Sequence, residues 1–369
     1  VENYKKDKIS LTKTDLRRIA LKKRRSSEEL KQVHSQVVQN VADRVSVAFK
    51  NFFEKRSRFP KNKHYRNYRS FIYPQSGFDI QSTPEGGHKI YLSGIGKVRI
   101  FVHRPMSGKV NRLCVKYEAG EWYGIFLIEQ AVTHQQRERD IDSIPDERIR
   151  GADLGLERFI TLDNSISKEY PRFLRQSEEK IKGIQLHLSR KKKGSRRRRL
   201  LALKLAQLHF HVKRQREDYQ NKLVSTLLKK HTDILVLEKL SAENMLQNHR
   251  LAKSIADASF GRFAMKCIFK AEMLSKQVLF VDPWGTSQFC HGCLQWVPKG
   301  LGEREHNCPK CGVKLSRDLN SAKLIRRLGI QKRSPPSDGG LSPAELLPLP
   351  SLRRMASIGE EAGSLRIHS

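Results

Sequence analysis

The stretch Asp233-Ile234-Leu235-Val236-Leu237-Glu238 decides the fold of this chain. Its uninterrupted apolar run is long enough for a buried strand and too short for a helix. The acid that ends such a strand must stay hydrated, be paired or hold a cation, because an isolated charge in a medium of low dielectric is very costly. Glu238 is therefore a candidate site residue at the end of a buried strand.

Two further stretches place an acid in a comparable setting. Residues 150–155 carry Asp153 on a strand-like segment, and residues 316–322 carry Asp318 at the start of a helix. Three carboxylates brought together would repel one another unless a divalent metal ion neutralised them. Mg²⁺ prefers oxygen ligands, and two ions about 3.5–4 Å apart can activate an attacking water and stabilise the leaving oxygen of a phosphodiester. We therefore predict a catalytic Mg²⁺ site of Asp153, Glu238 and Asp318 in a ribonuclease-H-like core. Taken singly, each acid also fits an ordinary surface group, and Asp318 fits a helix N-cap.

The charge balance indicates a polyanionic partner. The 369 residues include 72 Lys+Arg against 38 Asp+Glu, a formal net charge of +34. Such a field attracts nucleic acid before other partners. No signal peptide, amphipathic anchor or apolar run near 18 residues is apparent, so we expect no membrane partner and a cytoplasmic, nucleoid-associated location. The oligomeric state is left open.

Four of the six cysteines form two CxxC pairs. In a reducing compartment, paired CxxC motifs indicate a metal before a disulfide. Four thiolates close a tetrahedral shell with no open position, so the predicted ion is a structural Zn²⁺ that supplies folding energy to a small ribbon. A redox dithiol is the alternative, although it needs only one CxxC. The predicted zinc ligands are Cys290, Cys293, Cys308 and Cys311.

Patterning divides the chain into four regions. Apolar residues at helical spacing predict a helical recognition region over 1–60, and short strand-like runs between Gly and Pro turns predict a β-barrel-like nucleic-acid-binding module over 61–145. Residues 146–330 carry the predicted nuclease core, with a long helical hairpin at 170–231 and the zinc ribbon at 284–315. Residues 331–369 are rich in Pro, Ser and Gly and are predicted to be disordered. The fold class is thus α/β plus β.

Two basic segments are candidates for contacts with nucleic acid. One interleaves basic and aromatic side chains, a mixture that suits phosphate contacts and base stacking. The other is a dense basic turn between two predicted helices, for which a solvated loop or a targeting signal is the alternative. The candidate residues are Tyr65, Arg66, Tyr68, Arg69, Arg190, Lys191, Lys192, Lys193, Arg196, Arg197, Arg198 and Arg199.

The three acidic stretches resemble the motifs of the TnpB family, the OrfB-type proteins of bacterial insertion sequences. Gly151-Ala152-Asp153-Leu154-Gly155-Leu156 resembles the first RuvC motif, Ile234-Leu235-Val236-Leu237-Glu238-Lys239-Leu240 the second, and Ser316-Arg317-Asp318-Leu319-Asn320-Ser321-Ala322 the third, directly after the ribbon as in that family. The resemblance extends through 188–195, 214–218, 286–288, 52–53 and 68–75. It therefore covers nearly everything before the tail.

The resemblance implies an RNA-guided DNA endonuclease related to type V CRISPR effectors. In that family a guide RNA derived from the transposon end pairs with target DNA, and the protein reads a short adjacent motif. The region before residue 146 would then hold the RNA and the heteroduplex. The RuvC domain would cut with Mg²⁺ held by the three acids. A catalytically silent RNA- and DNA-binding regulator or transposition accessory protein, and a guide-independent RuvC resolvase, are the alternatives.

Three features depart from the family pattern. The family usually begins with a further strand and helix, so a chain that starts at Val1 is expected to be truncated there. Ser316 stands where the family commonly has Asp, and Leu294 stands where Gly often follows the second cysteine. None of these positions is a predicted metal ligand.

Overall fold

The computed structural model describes residues 11–64, 67–82, 87–103, 105–130, 143–229, 231–241, 245–300, 302–333 and 364–368. The chain forms two compact units, one of Val1–Ala131 with Pro350–Ser369 and one of Val132–Leu349. Within the described ranges, no helix is both long and apolar enough to cross a membrane.

In the described part of the first unit, three helices precede the sheet: α1 (Lys13–Ser26), α2 (Glu28–Lys31) and α3 (Ser35–Phe53). Thr12 caps α1 in a reciprocal capping box with Asp15, which satisfies backbone donors that the first turn leaves free. Arg17 joins α1 to α3 through a two-pronged ion pair with Asp43, at 2.6 and 2.7 Å. Helices were predicted for this region from the spacing of its apolar residues.

A seven-stranded sheet follows the helices. Its strands are β1 (Ser70–Tyr73), β2 (Phe78–Ser82), β3 (His88–Leu92), β4 (Gly96–Phe101), β5 (Lys109–Glu118), β6 (Glu121–Glu129) and β14 (Ser364–His368). Their order is β1-β5-β6-β14-β4-β3-β2, and every neighbouring pair is antiparallel. The edge strands β1 and β2 do not pair with each other among the described residues. Closure into a barrel therefore stays a prediction.

The sheet of the second unit has five strands. These are β7 (Ile149–Leu154), β8 (Arg158–Leu162), β9 (Ser167–Glu169), β10 (Ile234–Glu238) and β11 (Gln277–Val281), in the order β11-β10-β7-β8-β9. The strands β12 (Glu305–Asn307) and β13 (Lys314–Ser316) form a separate two-stranded sheet. The strands β7, β8 and β9 form an antiparallel meander, whereas β10 runs parallel to both β7 and β11. All residues of β10 are buried, as its apolar run predicted. The short strand β9 was not predicted.

Helices cover this sheet and extend from it. They are α4 (Phe173–Ser189), α5 (Arg196–Leu227), α6 (Ala252–Ala258), α7 (Phe260–Met273) and α8 (Arg317–Arg333). A single helix was predicted from 248 to 274, but Ser259 adopts a left-handed conformation with φ 53° between α6 and α7. Side chains bind the carbonyls before this break: Tyr170 donates to Asp257 O and Gln220 to Ala258 O. Both carbonyls are therefore hydrogen-bonded by side chains, although the helix does not continue through Ser259.

Helix α8 lies directly against β7. A Cβ on Gly151 would stand 2.2 Å from the Ala322 carbonyl and 2.4 Å from the Arg326 nitrogen, so only glycine fits at this contact. The Asp163 carboxylate accepts a hydrogen bond from the Gly151 N–H at 3.0 Å and lies 3.6 Å from Nε of Arg326. This packing fixes the strand that carries Asp153 against the helix that carries Asp318.

Residues 331–369 were predicted to be disordered, but the described parts of this region form regular secondary structure. Helix α8 continues to Arg333, and 364–368 form β14 between β4 and β6. Leu365 and Ile367 alternate with polar residues in that segment, a pattern that suits a strand, and the neighbouring strands offer free backbone groups. Residues 334–363 and 369 lie outside the described residues.

Candidate functional site

The strands β7 and β10 bring Asp153 and Glu238 to the same end of the five-stranded sheet. Ala152 is paired with Leu237 in a parallel register, and each candidate acid directly follows its member of that pair. Because β10 pairs with β7 on one side and with β11 on the other, Glu238 ends an interior strand of the sheet. The two acids are therefore neighbours across adjacent strands.

Asp318 completes the group from the first turn of α8. Burial raises the pKa of Asp153 well above its usual value, and the negative charges of Glu238 and Asp318 raise it further. Because such charge effects fall off with distance, Asp153 lies near both Glu238 and Asp318. The structure therefore places Asp153 near Glu238 and Asp318, the two other acids that the sequence predicted for the site.

Thr286 holds the Glu238 carboxylate. Its hydroxyl lies within hydrogen-bonding reach of Oε1 of Glu238 and, at 3.0 Å, of the carbonyl oxygen of Pro283. Both side chains are buried, with 4% and 8% of their residue surfaces exposed. Burial raises the pKa of Glu238, and the hydrogen bond from Thr286 opposes that shift. Thr286 lies in a stretch that carries the family resemblance, but sequence reasoning gave it no role in the site.

Arg317 is a second residue at the site that sequence reasoning missed. Its Nε lies 3.7 Å from Oδ1 of Asp318, and its positive charge lowers the pKa of Asp153 against the effects of burial and the acids. Its side chain is only 18% exposed. A largely buried guanidinium near Asp153 and Asp318 offsets part of the repulsion between these acids. The basic residue that directly precedes Asp318 was the available signal.

The four predicted zinc ligands come together in the ribbon. Their sulfur atoms all lie within 4.8 Å of one another, with Cys290–Cys311 at 3.6 Å and Cys293–Cys308 at 3.5 Å. Four thiolates about 2.3 Å from a tetrahedral Zn²⁺ would be separated by roughly 3.8 Å, so this spacing fits zinc. The backbone N–H groups of Cys311 and Lys310 lower the pKa of the Cys308 thiol to about 6, which favours its thiolate. Burial and the neighbouring sulfur atoms raise the pKa of the Cys311 thiol to about 12, so a bound cation is needed to hold all four cysteines as thiolates.

The turn after each CxxC pair has a left-handed residue. Gly312 follows Cys311 with φ 73°, and Leu294 follows Cys293 with φ 58°. A non-glycine residue in this conformation costs roughly 1–2 kcal/mol. This geometry explains why glycine is usual at the position that Leu294 occupies here.

Most of the basic turn between α4 and α5 is open to solvent. Arg190, Arg196, Arg197 and Arg199 are exposed, as charges that contact phosphates must be. Arg198 differs, because its Nη1 donates to the Leu188 carbonyl at 2.6 Å and so ties the start of α5 to the end of α4.

In the other basic segment, Tyr68 and Arg69 are exposed, and Lys63 and Arg44 lie 5.4 and 5.6 Å from the centroid of the Tyr68 ring. Tyr65 and Arg66 lie outside the described residues.

Comparisons with known proteins show which families this chain resembles. Residues 134–249, which include Asp153 and Glu238, match the OrfB_IS605 family, described as "Probable transposase". Residues 260–325, which include the cysteines and Asp318, match the Cas12f1-like TNB domain. The chain thus contains a segment similar to the OrfB_IS605 family, followed by a segment similar to the Cas12f1-like TNB domain. The resemblance to the TnpB family is confirmed.

Individual relatives span most of the chain. A protein of Streptomyces pristinaespiralis named as an RNA-guided DNA endonuclease is 28% identical over 320 residues, covering 84% of this chain and 76% of the relative. The protein InsQ of Escherichia coli (strain K12), with the same kind of name, is 27% identical over 316 residues, covering 81% and 76%. A structure of a Cas12f1–sgRNA–target DNA complex superposes with a TM-score of 0.53 at 13% identity, over 79% of this chain and 70% of that one, and shows a similar fold.

Proposed function

We propose that this protein is a transposon-associated, RNA-guided DNA endonuclease that hydrolyses phosphodiester bonds. The observation that carries the proposal is the cluster of Asp153, Glu238 and Asp318, which three separate elements of the second unit contribute. The five-stranded sheet that bears Asp153 and Glu238, together with α8, which bears Asp318, would be a ribonuclease-H-like, RuvC-type core. The relatives' names support the same activity.

The acids are suited to hold Mg²⁺. Burial and mutual repulsion make the metal-free cluster costly, and a divalent cation removes that cost. Mg²⁺ keeps several waters in protein sites, so the carboxylates need not converge as closely as the four cysteines do. When bound, a pair of such ions would activate the attacking water and stabilise the leaving oxygen. Within the protein, Thr286 orients Glu238, and Arg317 adds positive charge where the phosphodiester would lie.

The ribbon would hold a structural Zn²⁺ through Cys290, Cys293, Cys308 and Cys311. Its role would be to fix the start of α8, and thereby Asp318, since the ribbon leads directly into that helix. A closed tetrahedral thiolate shell leaves no position for a substrate. The zinc would therefore contribute to folding and not to hydrolysis.

The proposed partners are a guide RNA derived from the transposon end and a target DNA. The net charge of +34 supports a large polyanionic ligand, and the structurally similar Cas12f1 was solved with an sgRNA and target DNA. We propose that the helices and sheet before residue 146 hold the RNA and the heteroduplex. The exposed arginines of the basic turn would bind phosphates.

The test is cleavage by the purified complex. The protein is produced together with the RNA of its transposon end, and the RNA that copurifies is sequenced. The guide portion is then replaced, and cutting of plasmids that match the old and new guides is compared. The proposal predicts that cutting follows the guide. Guide-dependent binding without cutting would indicate a silent regulator, and cutting that ignores the guide would indicate a resolvase.

A further inference from the structure

The zinc ribbon exposes a pair of stacked tryptophans. The rings of Trp284 and Trp296 lie 5.9 Å apart at an interplanar angle of 25°. Trp284 is 73% exposed and Trp296 is 43% exposed. Leaving so much indole surface in water is costly for a folded protein, and exposed aromatic side chains of this kind are typical of binding surfaces.

Neighbouring residues of the ribbon hold the two tryptophans in place. Phe289 meets Trp296 edge-on at 4.8 Å and pairs with it in an isolated β-bridge. Gly285 has φ 72°, and a Cβ there would stand 2.6 Å from the Phe289 ring. The backbone N–H of Trp284 donates to the Asp282 carboxylate at 2.8 Å. The backbone of Trp284 is therefore fixed, and its indole packs on Trp296. Little side-chain entropy is then lost when a ligand stacks on the indole.

An apolar groove continues from the indoles. It has a volume of about 440 Å³, and Leu294, Leu324 and Leu328 line it together with Trp284 and Phe289. The side chain of Lys332 also lines the groove, and burial lowers the pKa of its ammonium group. Asp282 lies in the lining as well, and the Lys332 ammonium donates to the Phe280 carbonyl. The match to a nucleic acid therefore lies in the apolar lining, which suits the flat face of a base.

The groove lies beside the acid cluster. Trp284 is two residues before Thr286, the partner of Glu238, and two residues of chain span at most roughly 7 Å. A strand that reaches the acids therefore passes within about one or two nucleotides of the exposed indole. Val281 also lines the groove and is paired with Glu238 across β10 and β11.

We propose that Trp284 and Trp296 form a base-stacking platform that binds an unpaired nucleobase of the strand to be cut. This inference rests on the proposed nuclease function. It adds that the substrate strand is unpaired at the platform, because a base can stack there only when it has left its duplex. The net charge of +34 favours a nucleic-acid occupant over a second copy of this equally basic chain. Stacking is tolerant of sequence, which suits a nuclease whose specificity is set elsewhere.

The experiment measures tryptophan fluorescence. The chain contains three tryptophans, and Trp122→Phe leaves only Trp284 and Trp296 as emitters in the full-length protein. Asp153→Ala is added to prevent cutting. The protein is titrated with an unstructured oligothymidine and with an abasic oligonucleotide of equal length and phosphate number. We expect the oligothymidine to quench the emission and to bind roughly tenfold more tightly than the abasic strand.

Variants of Trp284 separate stacking from charge. Trp284→Leu should weaken oligothymidine binding roughly tenfold and leave abasic binding unchanged, whereas Trp284→Phe should retain most of the affinity. Binding by the Trp284 variants is followed by anisotropy of a labelled strand, and their zinc content is measured to verify that the ribbon is intact. Base stacking at the platform would be contradicted if the abasic strand bound and quenched as well as the oligothymidine. It would also be contradicted if Trp284→Leu bound the oligothymidine as tightly as the unsubstituted tryptophan does.

The result is separable from the nuclease proposal. A protein that cuts under guide control but binds both oligonucleotides equally would retain its proposed function and lose the platform. A protein that stacks thymines without guide-dependent cutting would retain the platform and lose the proposed function.

Discussion

The side-chain carbonyl of Asn320 accepts hydrogen bonds from both the backbone N–H of His291, at 3.0 Å, and its Nδ1, at 3.1 Å. The amide nitrogen of Asn320 donates to the Phe289 carbonyl at 2.7 Å. Arg327 adds bonds from further along α8 to the carbonyls of His291 and Gly292, at 2.9 and 2.7 Å. The first zinc knuckle is therefore tied to the helix that begins beside Asp318.

This tie predicts that Asn320→Ala loosens the zinc ribbon and slows cleavage. Asn320 is fully buried, and its removal leaves several polar groups without a partner, which costs roughly 1–3 kcal/mol. Zinc release in urea and the cleavage rate are the measurements. Asn307→Ala, on an exposed ribbon strand, is the matched control and should change neither. Cys308→Ser should act in the same direction as Asn320→Ala. Rapid zinc loss with normal cutting would show that the ribbon and the site are not coupled.

A second prediction concerns the threonine that holds Glu238. Thr286→Val removes a buried donor to a charged carboxylate, and loss of such a partner typically lowers metal affinity or activity about 10- to 100-fold. The measurement is the Mg²⁺ concentration that gives half-maximal cutting. Thr286→Ser keeps the hydroxyl and should stay near the wild-type value. If the two variants behave alike, the hydroxyl does not orient Glu238.

A third prediction tests the contact between β7 and α8. Gly151→Ala places a methyl group against the backbone of α8 and should lower the free energy of unfolding by about 1–3 kcal/mol or more. Gly183→Ala is the control, because that helical glycine has nothing within 4 Å of its added Cβ and alanine favours a helix by roughly 0.5–1 kcal/mol. Thermal unfolding should therefore move in opposite directions for the two variants. Equal stability of Gly151→Ala and the wild type would contradict the close packing.

A fourth prediction divides the arginines of the basic turn by role. Arg199→Gln removes an exposed charge and should reduce the slope of log affinity against log salt by about 0.7–0.9, without loss of stability. Arg198→Gln should instead destabilise the turn between α4 and α5, because Arg198 binds backbone carbonyls there. Salt titrations of nucleic-acid binding, together with thermal unfolding, check both variants. An unchanged salt slope for Arg199→Gln would remove that residue from the phosphate contacts.

Local patterns were enough to predict the parts of the structure that depend on neighbouring residues. The apolar run before Glu238 predicted a buried strand, and the two CxxC pairs predicted the thiolate cluster. Both depend on short-range chemistry, namely burial of consecutive apolar side chains and tight turns between ligand pairs. The acid cluster was inferred from the family resemblance and from charge, and the structure brings its members together.

Features that depend on contacts between distant segments could not be predicted. The break at Ser259 depends on Tyr170 and Gln220, which lie far from it in sequence. The strand at 364–368 forms only because β4 and β6 leave a place for it. Thr286 acquires its role from a partner 48 residues away, so the residue type alone carried no signal.

The most direct test of the account is cleavage by single amide variants of the three acids. Asp153→Asn, Glu238→Gln and Asp318→Asn keep the shape of each side chain and remove its charge, and Glu272→Gln is the control, since Glu272 is an exposed acid near the end of α7. Cutting of a guide-matched plasmid is measured with Mg²⁺ omitted and restored, which spares the zinc that a chelator would remove. The account predicts that each of the three variants loses cutting at every Mg²⁺ concentration while binding guide and target, and that Glu272→Gln cuts normally. Undiminished cutting by any of the three would contradict the proposed site.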